Sequence, residues 1–226
     1  MKKKTALPTH TLILIRHGQS VWNHENRFTG WVDVPLHING VNEARRLHSY
    51  IAEKEIHAVF CSALTRSLQT ALVVLEGHKY SPLIMHEDKR YQTKLRDNQI
   101  PLFRSPQLNE RHYGIYQGLI KRDVKDDVGD ELFLNIRRGY ETRPALGESL
   151  KDTQERVRDY IDTTIYPMID QPKTYLIVAH GNSIRALIMD LCHLTKMDVQ
   201  SLEIPTATPL ELHYTGEKYQ LIKPMV

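Results

Sequence analysis

Residues 12–23 read LILIRHGQSVWN. Four consecutive apolar residues, Leu12 to Ile15, predict a short strand buried on both faces. Arg16, His17 and Gly18 then fall where that strand leaves the core. In an open α/β sheet, ligands bind in the crevice beyond the strand carboxyl ends. His17 is a candidate nucleophile there, and Arg16 can grip an anion with a planar fork of donors. Gly18 lets the backbone approach a ligand closely. A plain surface turn has the same composition, so the triplet carries weight only if the rest of the chain supplies partners for it.

The stretch TYLIVAHGNSIRAL supplies the first of them. Tyr175 to Ala179 predict a second buried strand, ending again in a His-Gly pair, His180 and Gly181. Asn182 and Ser183 open a helix whose free amides and positive end suit an anion. Ala58 to Ser62 predict another strand, followed by a helical pattern with Arg66 in its opening turn. A cation there opposes the helix dipole. A site shared with His17 would account for it; a solvated helix start is the plainer alternative. Asn39 is read as the N-cap of a helix through Ala44, Leu47 and Ile51. From Gly77 to Gln107 the pattern is lost, and this stretch is read as a surface excursion with one strand at Pro101 to Arg104. Glu110, in the loop LNERHYG, is a candidate acid or base, or equally a salt-bridge partner of Arg111. A helix beginning at Ser149 carries Val157, Ile161 and Ile165 on one face, and Leu210 to Tyr214 close the pattern as a strand. The strand-helix alternation predicts a three-layer α/β fold, a mostly parallel central sheet with helices on both faces. One domain over 1–226 is expected, with its excursion at about 77–107.

The chain has 226 residues, 41% hydrophobic and 25% charged, with a net charge of +3. This mildly basic balance suits a small anion and is too weak to argue for nucleic acid; no basic tract interleaved with aromatics is present. Cys61 and Cys192 lie in apolar segments, as thiols do in a reducing compartment. MKKK opens the chain like a signal peptide, yet no long apolar stretch follows. The apolar runs are too short for a membrane span. Cytoplasmic location is therefore expected. Twelve histidines show no zinc-ligand spacing, and no metal is expected.

If the strand ends converge, Arg16, His17, Arg66 and His180 surround one anion. Transfer of a phosphoryl group is catalysed mostly by positioning and by stabilising charge on its equatorial oxygens. One neutral imidazole would attack in line and the other would stabilise the transferring group. Glu110 would carry the acceptor's proton.

The ordered motifs RHGQSVWN, NRFTGW, ALTRS, LNERHYG with YQGLIK, RRGY, GESLKDT and AHGNSIRAL resemble the 2,3-bisphosphoglycerate-dependent phosphoglycerate mutases of the histidine phosphatase superfamily. Arg-His-Gly alone marks the superfamily; NRFTGW, NERHYG and GESLKDT are more specific. The resemblance spans nearly the whole chain outside the excursion. It implies a phosphoglycerate mutase-like fold, His17 as the phosphorylated nucleophile, His180 as transition-state stabiliser and Glu110 as proton donor and acceptor. It puts Arg16, Asn23, Arg66, Gly181 and Asn182 around the transferred group. Thr29, Gly30, Arg111, His112, Tyr113, Lys121, Arg137 and Arg138 match positions for the rest of the phosphoglycerate. The implied primer is 2,3-bisphosphoglycerate, without a metal, and the partners are small phosphoglycerates and further copies of the chain in a dimer or tetramer. The segment before NERHYG is longer than usual, that between Arg143 and Gly147 shorter, and the extended tail of longer members is missing. The rival expectation is a phosphomonoester phosphatase on the same fold, which would not need Lys121, Arg137 and Arg138 together. A non-enzymatic phosphate binder would be expected to lack His17 or Glu110.

Overall fold

The structure, a computed structural model, describes residues 10–86, 88–169, 173–214, 216 and 218–222; the MKKK opening and the last four residues lie outside these. The apolar runs become the central strands. β1 (Thr11–Arg16), β2 (Ile56–Ser62) and β5 (Thr174–Ala179) lie together within a seven-stranded sheet. The sheet order is β3-β4-β2-β5-β1-β6-β7, where β3 is Ser81–Ile84, β4 Gln99–Ser105, β6 Pro209–Tyr214 and β7 Tyr219–Ile222. β1 to β5 run parallel; β6 is antiparallel to β1, and β7 to β6.

Alternate residues of the central strands feed two cores, one on each side. Ile13, Ile15, Val59, Leu176 and Val178 face Ala44, Leu47, Ile51, Ala71 and Val74, from the helices after β1 and β2. Leu12, Leu14, Phe60, Tyr175 and Ile177 face Leu150, Val157, Ile184 and Leu187. The Leu150–Tyr160 helix widens into a π-type turn at Ile161–Ile165. Neighbouring β1 and β5 therefore send their following helices to opposite faces, which opens a crevice at their carboxyl ends. The register pairs Arg16 with Ala179, so the two His-Gly pairs emerge side by side.

Two expectations need correction. The 77–107 stretch is not simply a surface excursion, because β3 and β4 both belong to the sheet and Leu102 is fully buried between β2 and β3. The strand expected at Pro101 to Arg104 is present and longer, Gln99–Ser105; Pro101 lacks a donor, but it sits one residue before the ladder with β2 begins. The helix expected to start from Asn39 is capped two residues earlier. His37 is the N-cap of Ile38–Arg45, its Nδ1 accepting from the Asn39 amide at 3.3 Å, and the chain breaks before resuming as His48–Ala52.

Candidate active site

His17 follows β1 directly and is buried. Its Nδ1 lies 2.6 Å from the Gly18 carbonyl oxygen, which can only accept, so Nδ1 carries the proton and Nε2 keeps its lone pair. Burial, then the Arg66 and Arg16 charges, hold its pKa well below the ordinary histidine range. The ring is therefore neutral at pH 7, the form a nucleophile needs. Gly18 is required by a close approach: a Cβ there would stand 2.3 Å from the Gly40 oxygen, and one on Gly40 would stand 2.1 Å from the Gln19 oxygen. The first turn of the Ile38–Arg45 helix thus rests backbone to backbone on the segment behind His17.

His180 ends β5 and caps the Gly181–Leu191 helix, its ring centroid 4.9 Å from that of His17. Its Nε2 and the Ser62 Oγ, at the end of β2, are 2.7 Å apart, and its Nδ1 is buried with no hydrogen-bond partner in the protein. Burial first, then Arg66, His17 and Arg16, keep it neutral as well.

Arg66, in the first turn of the Thr65–Val74 helix, is 1% exposed and needs the reason its sequence position called for. It donates to the carbonyls of Gly30 (2.8 Å) and Val32 (3.0 Å), clamping the loop after β1, while Nε remains unpartnered. Burial lowers its pKa to about 10, so it stays charged. The helix start is satisfied separately by Asp33, which accepts from the Thr65 amide and hydroxyl at 2.7 Å each. Gly30 holds φ +59°, left-handed backbone where a side chain would also collide with Gln117.

Glu110 is 9% exposed, and its Oε1 accepts from the amides of Arg111 (2.8 Å) and Asn182 (3.1 Å). The Asn182 amide expected to face an anion thus holds the carboxylate. Glu110's own carbonyl accepts from Trp31 Nε1 at 2.6 Å. Arg156 reaches the same stretch, donating to the carbonyls of Gln107 (2.6 Å), Asn109 (3.2 Å) and Glu110 (3.4 Å) while bound two-pronged to Glu148. Its guanidinium lies over the Trp31 ring.

These groups border a cavity of about 150 Å³. Arg16, His17, Asn23, Thr29, Gly30, Arg66, Glu110, Tyr113, Lys121, Arg137, Arg138, Gly181 and Asn182 line it, all of them singled out in the sequence. Its wall also contains Arg27, Phe28, Arg185 and Glu203, which sequence reasoning missed. A signal for Arg185 existed, since it lies four residues after Gly181 and so on the same helix face. His180 is in ring contact with His17 but does not line the cavity. Arg111 and His112 do not line it either. Arg111 is fully buried, stacked over Tyr113, and donates to the Ile136 and Gly139 carbonyls, which anchors the end of the Asp130–Arg138 helix that carries Arg137 and Arg138. His112 Nδ1 accepts from the Gly114 amide at 3.0 Å, and its ring packs edge-on to Trp31.

Seven cations and two carboxylates therefore meet in one crevice. Crowding has a cost that shows in Lys121, whose pKa is lowered to about 8 by burial and by Arg137 and Arg16, against the pull of Glu110. Among the wall atoms Arg16 Nε, Thr29 Oγ1, Arg66 Nε and Arg138 Nη1 are buried without a protein partner. Buried donors are nearly always satisfied in folded proteins, so such a cluster marks where an anionic ligand completes the structure. Among the described residues, no group of three or more His, Cys, Asp or Glu is placed to hold a metal, and no helix is long and apolar enough to cross a membrane.

A sequence model described as histidine phosphatase superfamily (branch 1) matches residues 12–90 and 91–224. The 2,3-bisphosphoglycerate-dependent phosphoglycerate mutase of Chlamydia muridarum is 45% identical over 215 residues, covering 92% of this chain and 95% of that protein. The same-named protein of Chlamydia abortus is 43% identical over 217 residues, covering 92% and 96%. Solved structures share the fold at lower identity. A phosphoglycerate mutase from Bacillus anthracis superposes with a TM-score of 0.69 at 21% identity, over 98% of this chain and 95% of that one. A putative alpha-ribazole-5'-P phosphatase from Escherichia coli gives 0.74 at 22%, over 95% of each.

Proposed function

The chain belongs to the histidine phosphatase superfamily, and we propose that within it this protein interconverts 3-phosphoglycerate and 2-phosphoglycerate from a phosphohistidine at His17. The relatives 43–45% identical to it over most of its length carry that activity in their names. The observation that carries the chemistry is a neutral His17 with Nε2 free, set among guanidiniums that each keep one buried nitrogen, Arg16 Nε, Arg66 Nε and Arg138 Nη1, without a protein partner.

The residues act as follows. His17 Nε2 takes a phosphoryl group, and Arg16 and Arg66 hold its oxygens while the N–P bond forms. His180 stays neutral, its Nε2 paired with the Ser62 hydroxyl, and its unpartnered Nδ1 adds a hydrogen bond to the transferring group. In the next step Glu110 removes the proton from the 2-hydroxyl of 3-phosphoglycerate. That oxygen attacks phosphorus as the bond to His17 breaks. The bisphosphorylated product turns round, His17 attacks its 3-phosphoryl group, and Glu110 returns the proton to the departing oxygen, leaving 2-phosphoglycerate. Lys121, Arg137, Arg138 and Arg185 bind the carboxylate and the second phosphate. The unpartnered donors fit 2,3-bisphosphoglycerate as the primer, which supplies the first phosphoryl group. The role fits an enzyme of the cytoplasm acting on free metabolites.

A coupled assay for 2-phosphoglycerate formed from 3-phosphoglycerate, with and without trace 2,3-bisphosphoglycerate, tests this. Fast isomerisation that requires the bisphosphate, with little free phosphate, is expected. Phosphate release without isomerisation would replace the mutase with a phosphatase whose phosphoenzyme is open to water.

A further inference from the structure

The cavity wall holds one acidic residue that the chemistry above does not use. Glu203 follows the short Lys196–Ser201 helix and its side chain is 72% exposed, against 19% for Arg138 and 8% for Arg185. It therefore stands at the mouth. Its Oε1 is 2.5 Å from Arg138 Nη2 and its Oε2 is 3.9 Å from Arg185 Nη2, so one carboxylate spans two of the outer guanidiniums. The backbone on either side is docked on the same cationic wall. Arg185 Nε donates to the Leu202 carbonyl at 2.7 Å, and Arg16 Nη1 to the Ile204 carbonyl at 2.8 Å. Arg138 Nη1 remains buried and unpartnered, so the guanidinium is only half used by Glu203.

We propose that Glu203 is an internal counter-anion that competes with the ligand's outer anionic group for Arg138 and Arg185. A phosphoryl group seated at His17 lies at the deep end and leaves this pair intact. A ligand carrying a second anion, a carboxylate or another phosphate, reaches the mouth and displaces the carboxylate. The competition has a use that rests on the mutase reading. A molecule charged at both ends must release its outer contacts before it can turn round, and a tethered carboxylate that recaptures the arginines makes that release easier. Glu203 is a specificity-determining residue on this account, since it sets how tightly the outer group is held.

The test compares wild type with Glu203→Gln, a neutral replacement of the same shape at an exposed position that leaves the fold intact. Calorimetric titration with 3-phosphoglycerate should show about three- to fivefold tighter binding to the variant, the range expected for freeing a solvent-facing pair. Binding of inorganic phosphate should change less than twofold. In the isomerisation assay kcat should fall along with KM. Unchanged or weaker binding of 3-phosphoglycerate would overturn the proposal and make Glu203 a support for Arg138. Equal tightening of both ligands would also overturn it, because the effect would then be a general field. If wild type releases phosphate instead of isomerising, the mutase reading fails, while the two titrations still decide the competition for the arginines.

Discussion

Replacing Arg156 with Met separates the holding of Glu110 from the stability of the fold. The side chains of Arg156 and Glu148 are 12% and 20% exposed, and two donors join them at 2.9 and 3.0 Å. Breaking a buried pair from one side costs about 3–5 kcal/mol; partial solvent contact reduces this to about 2–3 kcal/mol here. For a chain of this length that is a fall of about 5–10 °C in Tm. Adding Glu148→Gln removes the stranded charge yet keeps an acceptor for the His112 amide, so most of the loss should be recovered. Neither variant restores the donors on the 107–110 carbonyls, and Trp31 alone then holds the Glu110 backbone. A misplacement near 1 Å costs about a hundredfold in rate, so kcat should fall about 10- to 100-fold in both variants. KM should move less than about threefold, because the cations lining the cavity are carried by other elements. Thermal melts and steady-state isomerisation at 20 °C read both quantities. Recovery of kcat together with stability in the double variant would refute the positioning argument.

Two pH predictions follow from groups with displaced pKa values. Lys121 titrates at about 8, so kcat/KM for 3-phosphoglycerate should fall about tenfold from pH 7 to 9.5 as its charge is lost, and Lys121→Arg should flatten that limb; an unaltered limb in the variant would assign it to another group. Burial would raise the Glu211 carboxyl, but hydrogen bonds from Lys54, Tyr50 and His213 outweigh it and bring the pKa down to about 2. A depressed pKa stabilises the fold above the unfolded value of about 4.3 and loses this as pH falls toward 2. Urea midpoints should therefore drop between about pH 5 and 2, and Glu211→Gln should show a shallower drop; parallel curves would refute it.

The parts of this protein that were readable beforehand share one property: their pattern is local. β1 and β5 are covered on both sides, so four or five apolar residues in a row reveal them, and the polar residues that follow fall at the site. Arg66 stood out because a cation in a first helical turn needs a reason. β4 was legible over Pro101 to Arg104, but β3 was obscured by Pro82 and by residues that are at most half buried. Arg111 looked like a ligand residue, yet it is spent on the carbonyls of another segment, and only the packing of residues far apart in sequence decides that. Arg156 and Glu203 escaped for the same reason. Arg156 reaches back 46 to 50 residues to the 106–110 carbonyls, and Glu203 meets Arg138 across 65, through loops whose course no periodicity records.

The contact between Gly18 and Gly40 bears on how this protein can change over generations. Each glycine lies against backbone, with no flexible side chain that could yield. Any single replacement at either position must push the Ile38–Arg45 helix off the chain beside His17, and that helix also seats Ala44 in the core. No sequence of tolerated single steps leads away from this pair unless the helix is first re-seated. The two positions are thus an evolutionary lock, and in a saturation library they should be as intolerant as His17 although neither lines the cavity.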